Sequence, residues 1–60
     1  MNRLLTEKEL AGLLAITVSA LRRWRYEGRG PKFLKLGSAV RYPSEGVEGW
    51  LASRPGGGTR

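Results

Sequence analysis

Positively charged and aromatic residues alternate in the middle of the sequence. The segment from Arg22 to Arg41 contains seven basic residues and one acidic residue, Glu27, so it carries the whole net charge of +6 of the sixty-residue chain. Aromatic and apolar side chains, among them Trp24 and Tyr42, lie between the basic ones. Such interleaving indicates a folded basic surface rather than a disordered tail. A basic surface attracts a polyanion, and nucleic acid is the polyanion that we expect.

The residue types that are missing exclude most catalytic chemistry. The sequence contains no Cys, no His and no Asp, and its five acidic residues are all Glu. Disulfides, imidazole catalysis and the usual zinc sites are therefore excluded. Sixty residues form one small domain without room for an enclosed pocket. We therefore expect no enzyme activity and no cofactor, metal or small-molecule ligand.

Two features of the sequence indicate the cellular compartment: the N-terminal stretch and the length of the apolar runs. Glu7 and Glu9 precede any long apolar run, which is unlike a signal peptide. The apolar runs are a few residues long, too short to span a membrane. Together with the absence of cysteine, these features favour a cytoplasmic protein.

A helix near the N-terminus is the first element that must position the basic surface. Thr6 is a candidate N-cap, and Glu9 three residues later completes a capping box. Leu5 precedes the cap and can pack on Leu10 as a hydrophobic staple. Apolar residues then recur at helical spacing, so we predict a first helix over residues 7–14.

A short interruption at residues 15–17 separates this helix from a second one. Thr17 can cap the second helix, which runs through about Glu27. Gly28 suits the left-handed position that ends a helix. The turn between two such helices usually has Gly where this chain has Ala15, so we expect strain if Ala15 adopts a positive φ.

Two short strands follow, joined at residues 37–39. A three-residue loop gives one wholly apolar face that includes Val40 and Tyr42, whereas a two-residue loop places a leucine opposite Arg41. We predict the three-residue loop, with Lys35 and Arg41 together on the second face. The predicted apolar pairs are Leu36 with Val40 and Leu34 with Tyr42.

A third helix is predicted after Pro43. Ser44 is its candidate N-cap, and Glu45 is favourably placed at its positive end. Its buried stripe consists of Val47, Trp50 and Leu51. We place the domain at residues 1–53 and expect residues 54–60, which are rich in glycine, to form a flexible tail.

Several segments are informative when they are taken together and in order. They are LTEKELA at 5–11, SALRRWR at 19–25, Gly28, Pro31, LG at 36–37, VRY at 40–42 and VEGWL at 47–51. This series resembles the AlpA/excisionase group, small proteins of phages and mobile elements that are related to the DNA-binding domain of MerR regulators. The resemblance implies an α+β, mostly α, winged helix-turn-helix with three short helices and a two-stranded β-hairpin wing. In that family the second helix reads the major groove of DNA, and the wing reaches the adjacent minor groove.

The candidate DNA contacts follow from helical spacing and from the resemblance. Ser19, Arg22, Arg23 and Tyr26 share one face of the second helix. Arg22 or Arg23 can bind the O6 and N7 atoms of guanine, or both can bind phosphate. Tyr26 contacts DNA or packs against the hairpin, and packing is slightly favoured. The full set is Thr17, Ser19, Arg22, Arg23, Arg25, Tyr26, Lys32, Lys35, Ser38 and Arg41.

Some of these residues have a competing structural role. Thr17 contacts phosphate or simply caps the helix. Arg25 turns toward the side of the helix, where a phosphate, a base or a Glu is an equally good partner. Arg41 is the wing residue that the family pattern favours for a specific contact. The spacing of Trp24 and Trp50 places both in the core rather than in a stack on unpaired bases.

The resemblance implies an excisionase, or recombination directionality factor, which bends double-stranded DNA and assists an integrase. A small AlpA-type transcriptional regulator is the alternative, and an RNA-binding accessory factor is an interpretation of a different class. MerR regulators carry a dimerising helix and an effector site after the wing, whereas a glycine run follows here, so we expect no sensing function. One domain of this size contacts too few base pairs to specify a unique site in a genome. We therefore expect several copies to bind neighbouring direct repeats head to tail.

Overall fold

The computed structural model describes residues 2–55, which form three helices and a three-stranded antiparallel sheet. The elements are β1 (Leu4–Leu5), α1 (Glu7–Leu14), α2 (Val18–Tyr26), β2 (Leu34–Leu36), β3 (Ala39–Pro43) and α3 (Ser44–Ala52). β3 lies between β1 and β2. This arrangement confirms the predicted winged helix-turn-helix class. The two-residue strand β1 is an addition that the sequence does not predict.

α1 begins and ends at the predicted residues. The backbone N–H of Glu9 donates to Thr6 Oγ1 at 3.0 Å, and the backbone N–H of Thr6 donates to Glu9 Oε1 at 2.9 Å. Both halves of the capping box are therefore present. Leu5 and Leu10 are both buried in the core, which is consistent with the predicted staple.

The turn between α1 and α2 contains Ala15, the residue for which we expect strain from the sequence if its φ is positive. Ala15 has φ 57° and ψ 42°, and the next N–H, that of Ile16, donates to the carbonyl oxygen of Ala11 at 3.0 Å. A left-handed non-glycine residue costs about 1–2 kcal/mol. α2 then begins as predicted, because Thr17 Oγ1 accepts from the N–H of Ala20 at 3.0 Å.

α2 ends with the same backbone motif, but with glycine at the left-handed position. Gly28 has φ 75°, and the N–H of Arg29 donates to the carbonyl oxygen of Trp24 at 2.7 Å. The N–H of Gly28 donates to the carbonyl oxygen of Arg25 at 3.2 Å. These are the two hydrogen bonds of a Schellman motif, so the predicted role of Gly28 is confirmed.

The hairpin turn is shorter than predicted. Leu36 lies opposite Ala39 and Leu34 opposite Arg41, so the prediction of a three-residue loop is wrong. The turn has two residues, and the first of them, Gly37, has φ 65°. Glycine at the first position gives a tight turn whose twist matches that of the flanking strands, and this local geometry decides the register.

This register divides the sheet into an inner and an outer face. Val40 and Tyr42 lie on the inner face, against the core, and Tyr42 is fully buried. The outer sheet face consists of Leu4, Leu34, Leu36, Ala39, Arg41 and Pro43. The predicted apolar face is therefore wrong, since its two leucines lie on the side opposite to Val40 and Tyr42. A core as small as this one contacts the hairpin through two residues of β3 and does not cover β2.

The start of α3 also differs from the prediction. Ser44 is the first residue of the helix rather than its N-cap, and Pro43 at the cap position makes no side-chain cap hydrogen bond. Asn2 supplies the cap from the other end of the chain, because its Oδ1 accepts from the N–H of Glu45 at 3.0 Å. Ser44 Oγ instead accepts from the N–H of Arg3 at 2.8 Å and donates to the Asn2 oxygen at 3.1 Å.

The core lies between the helices and the inner face of the sheet. Its buried members are Leu5, Leu10, Ala11, Leu21, Tyr42 and Val47. Trp24 packs against this cluster, and its ring centroid lies 5.5 Å from that of Trp50; both rings are partly buried rather than fully within the core as predicted. Gly30 has φ 89°, and a Cβ there would lie 3.2 Å from Trp24 Cβ, so this position requires glycine. Leu51 is exposed, contrary to its predicted place in the buried stripe of α3.

Two further observations concern regions outside the core. Within residues 2–55 no helix has the length and apolar character that crossing a membrane requires. Of the predicted tail, residues 56–60 lie outside the described part of the chain. The guanidinium of Arg54, at the start of that tail, lies 4.8 Å from the centroid of the Trp50 ring.

Candidate nucleic-acid interface

The outward face of α2 brings four predicted site residues together. Ser19, Arg22, Arg23 and Tyr26 are exposed, whereas Leu21 on the opposite face is buried. The N-terminal end of this face adds the Thr17 hydroxyl, which is already engaged as a helix cap. The result is a surface with two guanidinium groups, two hydroxyls and a phenol, all of which can bind phosphate or base edges.

Tyr26 does not pack against the hairpin, the alternative that the sequence slightly favoured. Its side chain is 93% exposed. Phe33 occupies the space beside the hairpin instead, with its ring centroid 6.2 Å from that of Tyr42. Tyr26 lies at the centre of the outward face because residues four and seven positions earlier, Arg22 and Ser19, point the same way.

Arg22 forms a two-point ion pair with Glu7 of α1. Arg22 Nε donates to Glu7 Oε2 and Arg22 Nη2 donates to Glu7 Oε1, each at 3.2 Å. The hydrogen bond with Arg22 is the largest cause of the lowered pKa of the Glu7 carboxyl, followed by burial, which opposes it, and by Arg25. The Arg22 side chain is 62% exposed and that of Glu7 is 20% exposed. Arg22 is therefore fixed in position while most of its surface stays open to solvent.

Arg25 has partners within the domain rather than an open face. Its Nη1 donates to Glu7 Oε2 at 2.8 Å and to the Tyr42 hydroxyl at 3.0 Å. Its guanidinium also lies 5.5 Å from the centroid of the Phe33 ring. The sequence left a phosphate, a base or a Glu open as the partner of Arg25, and in the structure the partner is Glu7. Arg25 thus connects α1, α2 and the hairpin, and fixes their relative orientation.

The basic residues of the hairpin are distributed over both faces of the sheet. Lys35 lies opposite Val40, and Arg41 opposite Leu34, so the prediction that these two cations share a face is wrong. The two-residue turn moves β2 by one position relative to the predicted register, which exchanges its faces. Arg41 Nη1 donates to the carbonyl oxygen of Val40 at 2.9 Å.

Two other predicted site residues, Lys32 and Ser38, are exposed. Lys32 lies in the segment that leads into β2, and Ser38 lies at the tip of the hairpin. The structure therefore presents a hydroxyl at the tip and a cation at the base of the wing. Neither residue joins the outward face of α2, which forms a separate surface of the domain.

Two residues that the sequence did not single out contribute to the candidate interface. Glu7 lies in the first turn of α1, and it binds both Arg22 and Arg25. Arg29 lines a shallow depression beside α2, together with Thr17, Ser19, Ala20, Arg23 and Trp24. Arg29 belongs to the basic segment between Arg22 and Arg41, and this was the feature of the sequence that could have indicated it. No local signal existed for Glu7, because its partners lie fifteen and eighteen residues away along the chain.

Comparison with known families gives one informative match. The model of a family described as a helix-turn-helix domain matches residues 4–55. This range begins at β1 and extends past the end of α3, so it includes the outward face of α2 and the hairpin. Comparisons with curated proteins and with solved structures give no match.

Proposed function

Because this chain belongs to the helix-turn-helix domain family, we propose that it binds double-stranded DNA with α2 in the major groove and the β2–β3 hairpin at the adjacent minor groove. The observation that carries this proposal is the outward face of α2. Ser19, Arg22, Arg23 and Tyr26 are all exposed there, at spacings that suit the edge of a duplex. The hairpin contributes a two-residue tip that is narrow enough for a minor groove.

The biological role that we propose is that of an excisionase, a recombination directionality factor that bends DNA and assists an integrase. The resemblance of its motif residues to the AlpA/excisionase group supports this role. A domain that engages two adjacent grooves with two rigidly connected elements favours a bend toward itself. Arg25 provides the rigid connection, because it binds Glu7 of α1 and Tyr42 of β3 at the same time.

Several copies would bind neighbouring direct repeats head to tail. The outer sheet face supports this part of the proposal, since its leucines are exposed although they are apolar. Leu4, Leu34 and Leu36 are each exposed by 42–51%. Contact between this face and an adjacent copy would supply cooperativity, and contacts of this type propagate along a duplex instead of closing into a dimer.

A cyclic-permutation gel-shift assay on a target selected from random duplexes tests binding and bending together. We expect stepwise complexes and a bend that grows as copies are added. Affinity should fall steeply with salt, with a log–log slope of roughly −4.5 to −5.5 if five or six phosphates are neutralised. A slope near zero, or a single symmetric complex on straight DNA, contradicts the proposal.

An excision assay separates the excisionase role from regulation of transcription. The protein is added to purified integrase and a plasmid that carries the element's attachment sites, and the excised circle is measured. Excision that depends on this protein supports the proposed role. DNA binding that changes promoter activity without any effect on excision would show a small AlpA-type regulator instead.

A further inference from the structure

Two neighbouring arginines on the outward face of α2 differ in how they are held. Arg22 is paired with Glu7 through two hydrogen bonds of 3.2 Å. Arg23, the next residue, forms no ion pair or side-chain hydrogen bond within residues 2–55. Both side chains are exposed and both belong to the same helix turn. The sequence alone gives no basis for distinguishing them, and the structure does.

The geometry of the Arg22–Glu7 pair leaves a usable binding edge. A guanidinium group has five N–H donors in a planar fork. Glu7 occupies the edge formed by Nε and Nη2, which leaves both donors of Nη1 and one donor of Nη2 without this partner. The edge formed by Nη1 and Nη2 is the one that can bind guanine O6 and N7 in a bidentate manner.

We propose that Glu7 is a positioning residue that determines sequence specificity, by holding Arg22 in the orientation that reads a base while Arg23 contacts phosphate. This inference rests on the proposed function, because it assigns roles within the same DNA interface. Glu7 reaches Arg22 from α1, a different element, so the orientation of Arg22 is fixed by the packing of the two helices.

Two physical effects make a fixed arginine more selective than a free one. Ordering a long side chain upon binding costs roughly two- to tenfold in affinity, and an arginine that is ordered in the free protein avoids this cost. The Glu7 carboxylate also neutralises part of the Arg22 charge, which weakens its attraction to phosphates of any sequence. The first effect strengthens specific binding, and the second weakens non-specific binding.

The experiment compares Glu7→Gln with Glu48→Gln, which makes the same change in net charge on the exposed side of α3. Within residues 2–55 Glu48 forms no ion pair. Affinities of the full chain are measured for the selected target duplex and for a random duplex at several salt concentrations. Circular dichroism establishes that each variant is folded at the temperature of the measurement.

We expect Glu7→Gln to lower the ratio of specific to random affinity by roughly two- to tenfold relative to Glu48→Gln. It should also steepen the salt dependence on random DNA by about 0.9, since Arg22 becomes free to bind phosphate while Arg25 keeps its hydrogen bond to Tyr42. The loss of specificity should vanish when Arg22→Ala is already present, and it should persist when Arg23→Ala is present. Glu7→Asp, which is one methylene shorter but keeps the negative charge, should lower the specificity ratio like Glu7→Gln without the same change in salt dependence.

Three outcomes overturn the inference. The first is equal behaviour of Glu7→Gln and Glu48→Gln, and the second is a loss of specificity that survives in the Arg22→Ala background. The third is a parallel loss of both affinities, which would indicate a purely structural Glu7. In each of these cases the proposed function still holds if the wild-type protein binds the selected duplex more tightly than the random one. A wild type that binds every duplex equally refutes the proposed function, and the inference with it.

Discussion

The helix pair α1–α2 and the hairpin β2–β3 differ in how much of each is buried in the core. The helix pair contributes three of the six buried core residues, Leu10, Ala11 and Leu21, and it begins with a reciprocal capping box. In the hairpin, by contrast, all three residues of β2 are exposed, and the sheet reaches the core through Val40 and Tyr42. The stability of the domain therefore resides mainly in the helix pair, while the hairpin is attached through β3 and leaves β2 exposed to a partner.

Truncating one leucine in each region tests this division most directly. Leu21→Ala removes a side chain that is fully buried in α2. It should cost about 2–5 kcal/mol of unfolding free energy, a large part of the stability of a domain this small. Leu36→Ala removes a side chain of the same size that is 51% exposed in β2. It should change stability by less than about 0.5 kcal/mol.

Urea unfolding followed by tryptophan fluorescence measures both variants. Trp24 packs against the core and Trp50 against Trp24, so their emission reports the loss of this packing. Equal destabilisation by the two substitutions would show that the hairpin is as important for the fold as the helix pair.

The features that the sequence predicted correctly depend on residues close together in the chain. Thr6 and Glu9 are three positions apart, and Thr17 caps an N–H three residues later. Short-range hydrogen bonds of this type need little knowledge of the rest of the molecule, so their patterns are reliable. Gly28 is a similar case, because the left-handed position at a helix end depends on the local backbone.

The features that the sequence missed depend on partners far away in the chain. Ser44 was expected to cap α3, but Asn2 provides the cap from 43 positions away. Glu7, in the first turn of α1, holds Arg22 and Arg25, which no pattern near Glu7 in the sequence indicates. The predicted hairpin register is wrong for a different reason: the local geometry of the turn at Gly37 sets the register, and the core covers too little of β2 to favour an apolar inner face there.

The two left-handed residues at the ends of α1 and α2 allow a smaller and more exact test. Both helices end with the same backbone hydrogen bonds, with Ala15 at one left-handed position and Gly28 at the other. Ala15→Gly should raise the unfolding free energy by about 1 kcal/mol, because it relieves a strained φ. Gly28→Ala should lower it by a similar amount, and nothing lies within 4 Å of a Cβ built there.

Thermal unfolding of the two single variants and of the double variant gives both values. The double variant should return close to the wild-type stability, since the two sites lie in separate turns. A destabilising Ala15→Gly would show that the helix pair tolerates its left-handed alanine without strain.

The smallest expected effect lies at the junction of the two regions, where Glu7 meets Arg22 and Arg25. The hydrogen bond from Arg22 lowers the pKa of Glu7 below its ordinary value of 4.5. A carboxyl whose pKa is lower in the folded protein stabilises the fold when it is ionised. This contribution is complete above about pH 5, and it is lost as the pH falls through the pKa of the folded state. An ion pair that is partly open to solvent contributes up to about 1 kcal/mol.

Unfolding free energies measured between pH 3 and pH 7 should therefore decline at the acidic end. The decline should be shallower in Glu7→Gln, which carries no titrating group at this position. Part of it should remain there, because the pKa of Glu9 is also lowered, mainly by the backbone N–H of Thr6. Tyr42→Phe removes the other acceptor of Arg25 and leaves the carboxyl in place, so it should lower stability at every pH without changing the slope. If Glu7→Gln matches the wild-type slope instead, the junction is held by Tyr42 and the aromatic contact of Phe33 rather than by charge.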